Sequence, residues 1–241
     1  MGTMKTVVMT GIEKLEFTTR EIPSPKPRQV LIKLDYVGLC GSDIHFYQKG
    51  RNGDAVVVPP FVLGHEPGGI VTAVGENVTS LKPGDAVAIE PGVPCKSCAF
   101  CLEGKYNLCQ DVAFYACPPT DGAFCEYVVH DAAFCHKLPD NIGTLEGAMI
   151  EPLAVGFNAA NIVNAKPGKT AAVFGCGCIG LCSLLALRYM GVSRVFSLYS
   201  RPAMPTNSIS APARDMEEGR RSQNFVMMMS CDALTPEMIP S

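Results

Sequence analysis

A cluster of four cysteines constrains the fold more than any other feature of this sequence. Its spacing is Cys95-x2-Cys98-x2-Cys101-x7-Cys109. Zinc takes four ligands in a tetrahedron, with sulfur at about 2.3 Å, and closely spaced cysteines on a loop can wrap around one ion. We therefore expect a structural zinc site, with an iron–sulfur cluster or a redox-active thiol pair as the alternatives. Four protein ligands leave no open coordination position, so this zinc would stabilise a loop rather than take part in catalysis.

Composition limits the protein's location and partners. The formal net charge is -3 and no Lys/Arg run marks a basic face, which gives no reason to expect a nucleic-acid partner. No stretch reaches the ~18 uninterrupted apolar residues of a membrane span, and the N-terminal residues lack the apolar core of a signal peptide. We therefore expect a cytoplasmic protein without a membrane partner. In a reducing compartment, its 12 cysteines serve as metal ligands or as small buried residues rather than as disulfides. The expected buried or half-buried cysteines are Cys117, Cys125, Cys135, Cys176, Cys178, Cys182 and Cys231.

The first 150 residues have the pattern of a β-rich domain. Short runs of β-branched and aliphatic residues lie among frequent Gly and Pro residues. The runs predict strands over residues 6–9, 29–34, 69–74 and 86–89. We expect a compact, mostly antiparallel domain with irregular loops over residues 1–150.

Residues 151–200 change to an alternation of helix and strand. A helix is predicted from about Pro152 to Asn164, because proline at the first turn is compatible with helix initiation. The elements predicted after it are a strand over 169–174, a turn over 175–180, a helix over 179–190 and a strand over 194–199. This order begins a dinucleotide-binding fold, so the chain is predicted to be α/β overall.

The turn of this second region has the pattern G-x-G-x-x-G, formed by Gly175, Gly177 and Gly180. The first glycine allows a tight turn, the second lets a pyrophosphate approach the backbone, and the third lets the helix pack on the strand. The helix N-terminus then offers unpaired N–H groups to the phosphates. We expect Ile179, inside the pattern, to touch the cofactor as well.

A second candidate metal site is spread over two segments. Cys40 lies in one of them, and the adjacent residues His65 and Glu66 lie in the other. Spacing does not identify ligands this far apart, so a buried thiol and an incidental polar pair stay as the alternative. A thiolate, an imidazole and a carboxylate would suit a catalytic zinc with an open fourth position, which polarises a substrate oxygen and lowers its pKa.

Several motifs resemble those of zinc-dependent medium-chain dehydrogenases. The pattern G-H-E-x2-G-x5-G-x2-V, which begins at Gly64, resembles the zinc signature of that family. Residues 40–45 and 151–155 are similar to the sorbitol (polyol) dehydrogenase branch. The resemblance runs from about residue 4 to about residue 196. It implies a β-rich GroES-like catalytic domain over 1–150, followed over 151–200 by the start of a Rossmann NAD-binding domain that is incomplete at its C-terminus.

The resemblance also implies a set of metal ligands. In the polyol branch a cysteine, a histidine and the glutamate after it hold the catalytic zinc, and these positions correspond to Cys40, His65 and Glu66. Glu151 stands where classical alcohol dehydrogenases have a second cysteine ligand. It therefore favours the polyol type of site, in which this glutamate bonds the metal-bound water or the substrate.

Further roles are implied by position within the family. Ser42 and His45 match residues that relay the alcohol proton outwards, although a surface imidazole is the alternative for His45. Phe46 and Phe114 match residues that line the polyol pocket, and the phenylalanine at 46 replaces a tyrosine of mammalian-type enzymes, which leaves the substrate range open. Tyr199 stands where the family has the aspartate that binds the ribose. NAD is therefore expected from the family alone, and a choice between NAD and NADP is not decided by this sequence.

The expected function is oxidation of a secondary alcohol of a polyol, of the sorbitol, xylitol or L-iditol type, to a ketose. It would use one catalytic zinc, one structural zinc and NAD. A threonine-type dehydrogenase shares the metal motifs, but Phe114 and the segment Pro118–Phe124 favour a small-molecule polyol partner. Full-length relatives are homo-oligomeric.

Residues 201–241 differ in composition from the rest, because they are rich in methionine and have little periodicity. We expect an aberrant, poorly ordered tail, with a frameshift near residue 197 as the hypothesis. Translation of the encoding nucleotide sequence in the other two frames would test it. A nucleotide domain cut short there would leave strand edges unpaired, so zinc binding with little or no turnover and impaired subunit assembly is expected. An inactive zinc-binding fragment is thus a further alternative.

Overall fold

The computed structural model describes residues 2–198 and 229–230. These residues form two compact units, of which the first ends at Glu151 and the second begins at Pro152. Residues 229–230 belong to the first unit. Tyr199 lies outside the described residues, and so does the rest of the tail predicted over 201–241, which includes Cys231. Among the described helices, none combines the length and the apolar character needed to cross a bilayer.

Short strands predominate in the chain. The strands are β1 (Thr3–Gly11), β2 (Lys14–Glu21), β3 (Gln29–Gly38), β4 (Arg51–Asn52), β5 (Ala55–Val56), β6 (Glu66–Val74), β7 (Ala86–Ile89), β8 (Gly92–Val93), β9 (Ala113–Phe114), β10 (Tyr127–Asp131), β11 (Cys135–Lys137), β12 (Thr170–Phe174), β13 (Arg194–Leu198) and β14 (Met229–Ser230). The α-helices are α1 (Gly41–Lys49), α2 (Ala99–Leu102), α3 (Thr144–Ala148), α4 (Ile150–Ile162) and α5 (Cys178–Tyr189). Single 3-10 turns lie at Tyr106–Leu108 and Ala132–Phe134.

Antiparallel sheets make up the first unit. β1 and β2 form a hairpin, and the main sheet has the order β10-β3-β6-β7-β11, with β14 paired to β3. Two short pairs, β4 with β5 and β8 with β9, form separate two-stranded sheets. The α/β class and the antiparallel first domain are therefore confirmed.

The core of the first unit is set by alternation along β3. Val30, Ile32 and Leu34 are fully buried, whereas the residues between them are half-buried. Successive side chains of a strand point to opposite faces of the sheet, so one face of β3 forms the centre of the core. The other buried members of this cluster are Met4, Val37, Val71, Leu81, Val87, Ile89, Ala123, Cys125, Val128, Ala132 and Cys135.

The second unit contains the predicted strand–helix–strand order. β12 and β13 pair in parallel, with Thr170 opposite Arg194, and α5 connects them. A small buried cluster forms around Ala160 of α4 and Ala186 and Leu187 of α5. The two helices approach closely at Gly156, where a Cβ would lie 2.5 Å from the backbone of Cys182.

Two local predictions were wrong. The helix predicted from Pro152 begins instead at Ile150, so the proline is the third helical residue rather than the first. The first four N–H groups of a helix have no intrahelical acceptor, and a proline therefore removes no hydrogen bond at this position. Cys117, expected to be buried or half-buried, is exposed in a loop.

Replacing Ile32 by alanine should destabilise the first unit by about 2–5 kcal/mol, since a fully buried isoleucine leaves a cavity when it is truncated. Ile12, which is 57% exposed, gives the matched control, and Ile12→Ala should cost less than about 0.5 kcal/mol. Urea unfolding followed by circular dichroism measures both variants. Equal costs for the two would contradict the assignment of the core.

Candidate metal centres

The four-cysteine loop brings its thiols to one point. α2 and the 3-10 turn at Tyr106–Leu108 fold the loop back on itself, and the four sulfur atoms lie within 4.8 Å of one another. The Sγ of Cys101 lies 3.4 Å from that of Cys98 and 3.9 Å from that of Cys95. Tetrahedral zinc with sulfur at ~2.3 Å places its ligands about 3.8 Å apart, so these positions fit the ion.

Hydrogen-bond donors of this loop favour the thiolate form of Cys95, whereas burial raises the pKa of Cys101 to about 12. The N–H and hydroxyl of Ser97 and the N–H of Cys98 all point to the sulfur of Cys95, and they lower its pKa to about 6. The amide nitrogen of Cys95 in turn lies 3.3 Å from the sulfur of Cys109. Zinc binds thiolates, so a lowered thiol pKa assists binding.

The second centre is assembled by the pairing of β3 with β6. Cys40 is the N-cap of α1, just beyond the end of β3, while His65 and Glu66 stand at the start of β6. The two strands pair antiparallel with Gly38 opposite Glu66, which brings the distant sequence segments together. The ligand atoms of Cys40, His65 and Glu66 lie within 4.8 Å of one another.

Asp43 joins the two ligand segments, and we did not single it out from the sequence. Its side chain is 1% exposed, and its oxygens accept hydrogen bonds from the N–H of Cys40 at 3.0 Å and of Gly64 at 2.9 Å. It also lies 3.7 Å from Nδ1 of His65. A carboxylate at the third position of a helix that begins after Cys40 is half of a capping box, and this pattern could have identified it.

Two glycines leave room for the ligands. Gly64 has φ +92°, and a Cβ there would lie 2.5 Å from the ring of Phe124. At Gly38, a Cβ would collide with the carboxylate of Glu66. Any larger residue at either position would therefore displace a ligand or its support.

The charges of this pocket suit a dication. Although burial opposes a charged imidazole, the nearby side chains of Asp43 and Cys40 raise the pKa of His65 to about 11. The neighbouring imidazole of His65 is the main reason that the pKa of Cys40 is lowered. Burial, followed by repulsion from Glu151, raises the pKa of Glu66 to about 7. Several acidic groups thus share a confined space, and a bound cation would relieve their repulsion.

The other predicted residues of the centre lie at different distances from it. Glu151, in the first turn of α4, is mostly buried and interacts electrostatically with Glu66, and Ser42 hydrogen-bonds with Cys40. The ring of Phe114 lies 5.8 Å from that of His65. His45 is exposed on α1.

Phe46 lies in a buried cluster of the first unit. Its side chain is 5% exposed and packs with Met9, Val57, Phe61 and Leu63 in a buried cluster. A substrate-lining role for Phe46 stays a prediction, and packing explains the residue without it.

The glycine-rich turn of the second unit has the geometry that its pattern predicts. Gly175 follows β12 with φ +96°, and Gly177 is the N-cap of α5. A Cβ at Gly180 would collide with the Gly175 carbonyl, so the helix packs directly on the turn. Ile179 is 41% exposed in the first turn of α5.

Known proteins share these features. Residues 26–140 match the alcohol dehydrogenase GroES-like domain family. The chain is 45% identical to a probable D-xylulose reductase A of Aspergillus clavatus over 79% of its length, and 49% identical to the sorbitol dehydrogenase of Bos taurus over 78%. A putative zinc-binding dehydrogenase of Sinorhizobium meliloti, bound to NADP, superposes with TM-score 0.75 at 30% identity, covering 82% of this chain and 56% of that one.

The chain contains an alcohol dehydrogenase GroES-like domain and is similar to zinc-type dehydrogenases over three quarters or more of its length. The GroES-like domain and the sorbitol dehydrogenase branch expected from the motifs are both confirmed. The chain spans about half the length of the curated relatives that it matches, 54% of the xylulose reductase and 53% of the bovine enzyme.

Cys98→Ser should abolish metal binding at the four-cysteine loop, because a hydroxyl is a poor zinc ligand beside three thiolates. This variant should therefore lose one bound zinc per chain. Cys117→Ser should lose none, because that exposed thiol lies outside both clusters. Zinc content after dialysis measures both. The same stoichiometry in the two variants would show that the loop holds no metal.

Proposed function

We propose that Cys40, His65 and Glu66 hold the catalytic zinc of a polyol dehydrogenase, and that the four-cysteine loop holds a structural zinc. One observation carries the proposal: a thiol, an imidazole and a carboxylate, brought from separate segments, place their ligand atoms within 4.8 Å of one another. This mixed donor set is the kind that catalytic zinc sites use, with a position left open for substrate.

Zinc bound there would polarise the hydroxyl of an alcohol and lower its pKa. The chain's own residues would orient the substrate and move its proton. Burial raises the pKa of Glu151, so this carboxyl group holds a proton more readily than an exposed glutamate and is suited to proton exchange. Ser42 sits beside Cys40, and His45 is exposed further along the same helix, so the two supply a route from the pocket to solvent. Phe114 would shield one side of the substrate from water.

The proposed hydride acceptor is NAD. Gly175 and Gly177 let a pyrophosphate approach the backbone, and the first N–H groups of α5 would bind its oxygens. The relative from Sinorhizobium meliloti was solved with NADP, so both coenzymes belong in an assay.

The proposed substrate is a small polyol. A secondary alcohol would lose its hydride to NAD and its proton to solvent, which leaves a ketose. Support comes from the relatives named as a xylulose reductase and a sorbitol dehydrogenase, at 45% and 49% identity. Glu151, in place of a further cysteine, also favours the polyol type of site, in which it would bond the metal-bound water or the substrate.

Sorbitol or xylitol should change the absorption spectrum of cobalt(II) bound in place of zinc at Cys40, His65 and Glu66, because the open position accepts a substrate oxygen. His65→Ala should abolish the response. Cys98→Ser should retain it, because its lost ligand belongs to the other cluster. NADH or NADPH absorbance, followed in parallel, reports whether hydride transfer depends on the metal.

L-threonine is the discriminating ligand in this experiment. A response to L-threonine with none to polyols would favour an amino-alcohol dehydrogenase and contradict the proposed substrate. Bound metal with no response to any alcohol and no coenzyme reduction would leave a metal-binding centre without the proposed activity.

A further inference from the structure

The segment Pro118–Phe124 was noted in the sequence only as a sign of polyol specificity, yet it lies against the residues that lead to His65. The N–H of Gly122 donates to the carbonyl of Val62 at 2.7 Å. The N–H groups of Ala123 and Phe124 donate to the carbonyls of Gly64 and Leu63 at 2.8 and 2.9 Å. Every carbonyl from Val62 to Gly64 is therefore held by this one segment.

Asp121 belongs to the segment Pro118–Phe124, and its two carboxylate oxygens have different partners. Its Oδ1 accepts a hydrogen bond from the N–H of Val62 at 2.9 Å, and its Oδ2 lies 2.8 Å from the guanidinium of Arg20. Val62 is 1% exposed, whereas the side chain of Asp121 is 44% exposed. A surface carboxylate thus satisfies the N–H of a buried residue three positions before a metal ligand.

The segment that ends at His65 has little freedom to shift. On its other side, Phe61 and Met9 exchange two hydrogen bonds, at 2.7 and 3.0 Å. The N–H of Gly64 is taken by Asp43, and the positive φ of Gly64 turns the chain into the ligand. Glycine is also required at 122, where a Cβ would lie 2.5 Å from the carbonyl of Gly64.

We propose that Asp121 is a positioning residue for the metal centre: by fixing Val62, it fixes the direction from which His65 presents its imidazole. This inference rests on the proposed function, since it requires a metal at Cys40, His65 and Glu66. The positioning depends on the hydrogen bond from the N–H of Val62 to Asp121. The exposed ion pair between Asp121 and Arg20 contributes little, because water screens exposed pairs.

Cobalt(II) titration of the full chain tests the proposal, because the mixed and the four-cysteine sites give different ligand-field spectra. Asp121→Ala should weaken cobalt binding at the mixed site about 10-fold, the low end of the effect of removing a group bonded directly to a ligand, because Asp121 acts on His65 through Val62. Asp121→Asn keeps an acceptor for the N–H of Val62, and Arg20→Ala removes only the ion pair. Both should bind cobalt within about threefold of the unchanged chain.

The four-cysteine loop is the internal reference, and its affinity should stay within about threefold in every variant. Three results would overturn the proposal. Cobalt affinity could fall equally at both sites, it could fall equally in all three variants, or it could stay unchanged in Asp121→Ala. Should Asp121→Ala fail to fold, Asp121→Leu keeps the branched shape without the acceptor. Loss of the fold in both would assign Asp121 to overall stability and refute the role. An unchanged chain that binds no cobalt at the mixed site would instead refute the metal centre itself.

Discussion

The antiparallel pairing of β3 with β6 is the constraint on which the mixed centre depends. Cys40 follows one strand, and His65 and Glu66 begin the other. A slip of one residue in this pairing would turn every side chain of a strand to the opposite face of the sheet. The buried side chains of β3 oppose such a slip, because it would expose them to solvent. The same residues that form the core therefore also fix the relative positions of the ligands. Stability of the sheet and geometry of the centre therefore have the same origin.

The centre concentrates groups that repel one another. Burial raises the pKa of Glu66 and of Glu151, while the pKa of Cys40 is lowered beside His65. The neighbouring Asp43 and Cys40 raise the pKa of His65, whose imidazole must lose its proton to bind a metal. Without a bound cation, such a pocket lowers the stability of the fold, because burying charged and polar groups costs free energy. The arrangement makes physical sense when a dication compensates the negative charge, and the hydrogen bonds of Asp43 then orient the ligands rather than neutralise them.

Sequence patterns identified what depends on short spacing or on a known motif. The four-cysteine loop, the strand–helix–strand unit and the glycine turn all have local signals, and the structure contains them. The connection of Cys40 to His65 and Glu66 required the family motif, because long-range strand pairing leaves no spacing rule. Asp43 was not singled out although its capping-box position is a local signal, and Asp121 was not singled out because it accepts from the N–H of Val62, which is distant in sequence. Phe46 shows a different limit: the family motif predicts a pocket position, and the structure shows packing in a buried cluster, so its substrate-lining role stays a prediction.

X-ray absorption at the zinc edge, on the full chain carrying Cys98→Ser, tests the central claim most directly, because that substitution leaves the mixed centre as the remaining zinc site. The account predicts about one sulfur near 2.3 Å together with nitrogen and oxygen near 2.0–2.2 Å. A shell of sulfur alone, a shell without sulfur, or a chain that retains no zinc would contradict it.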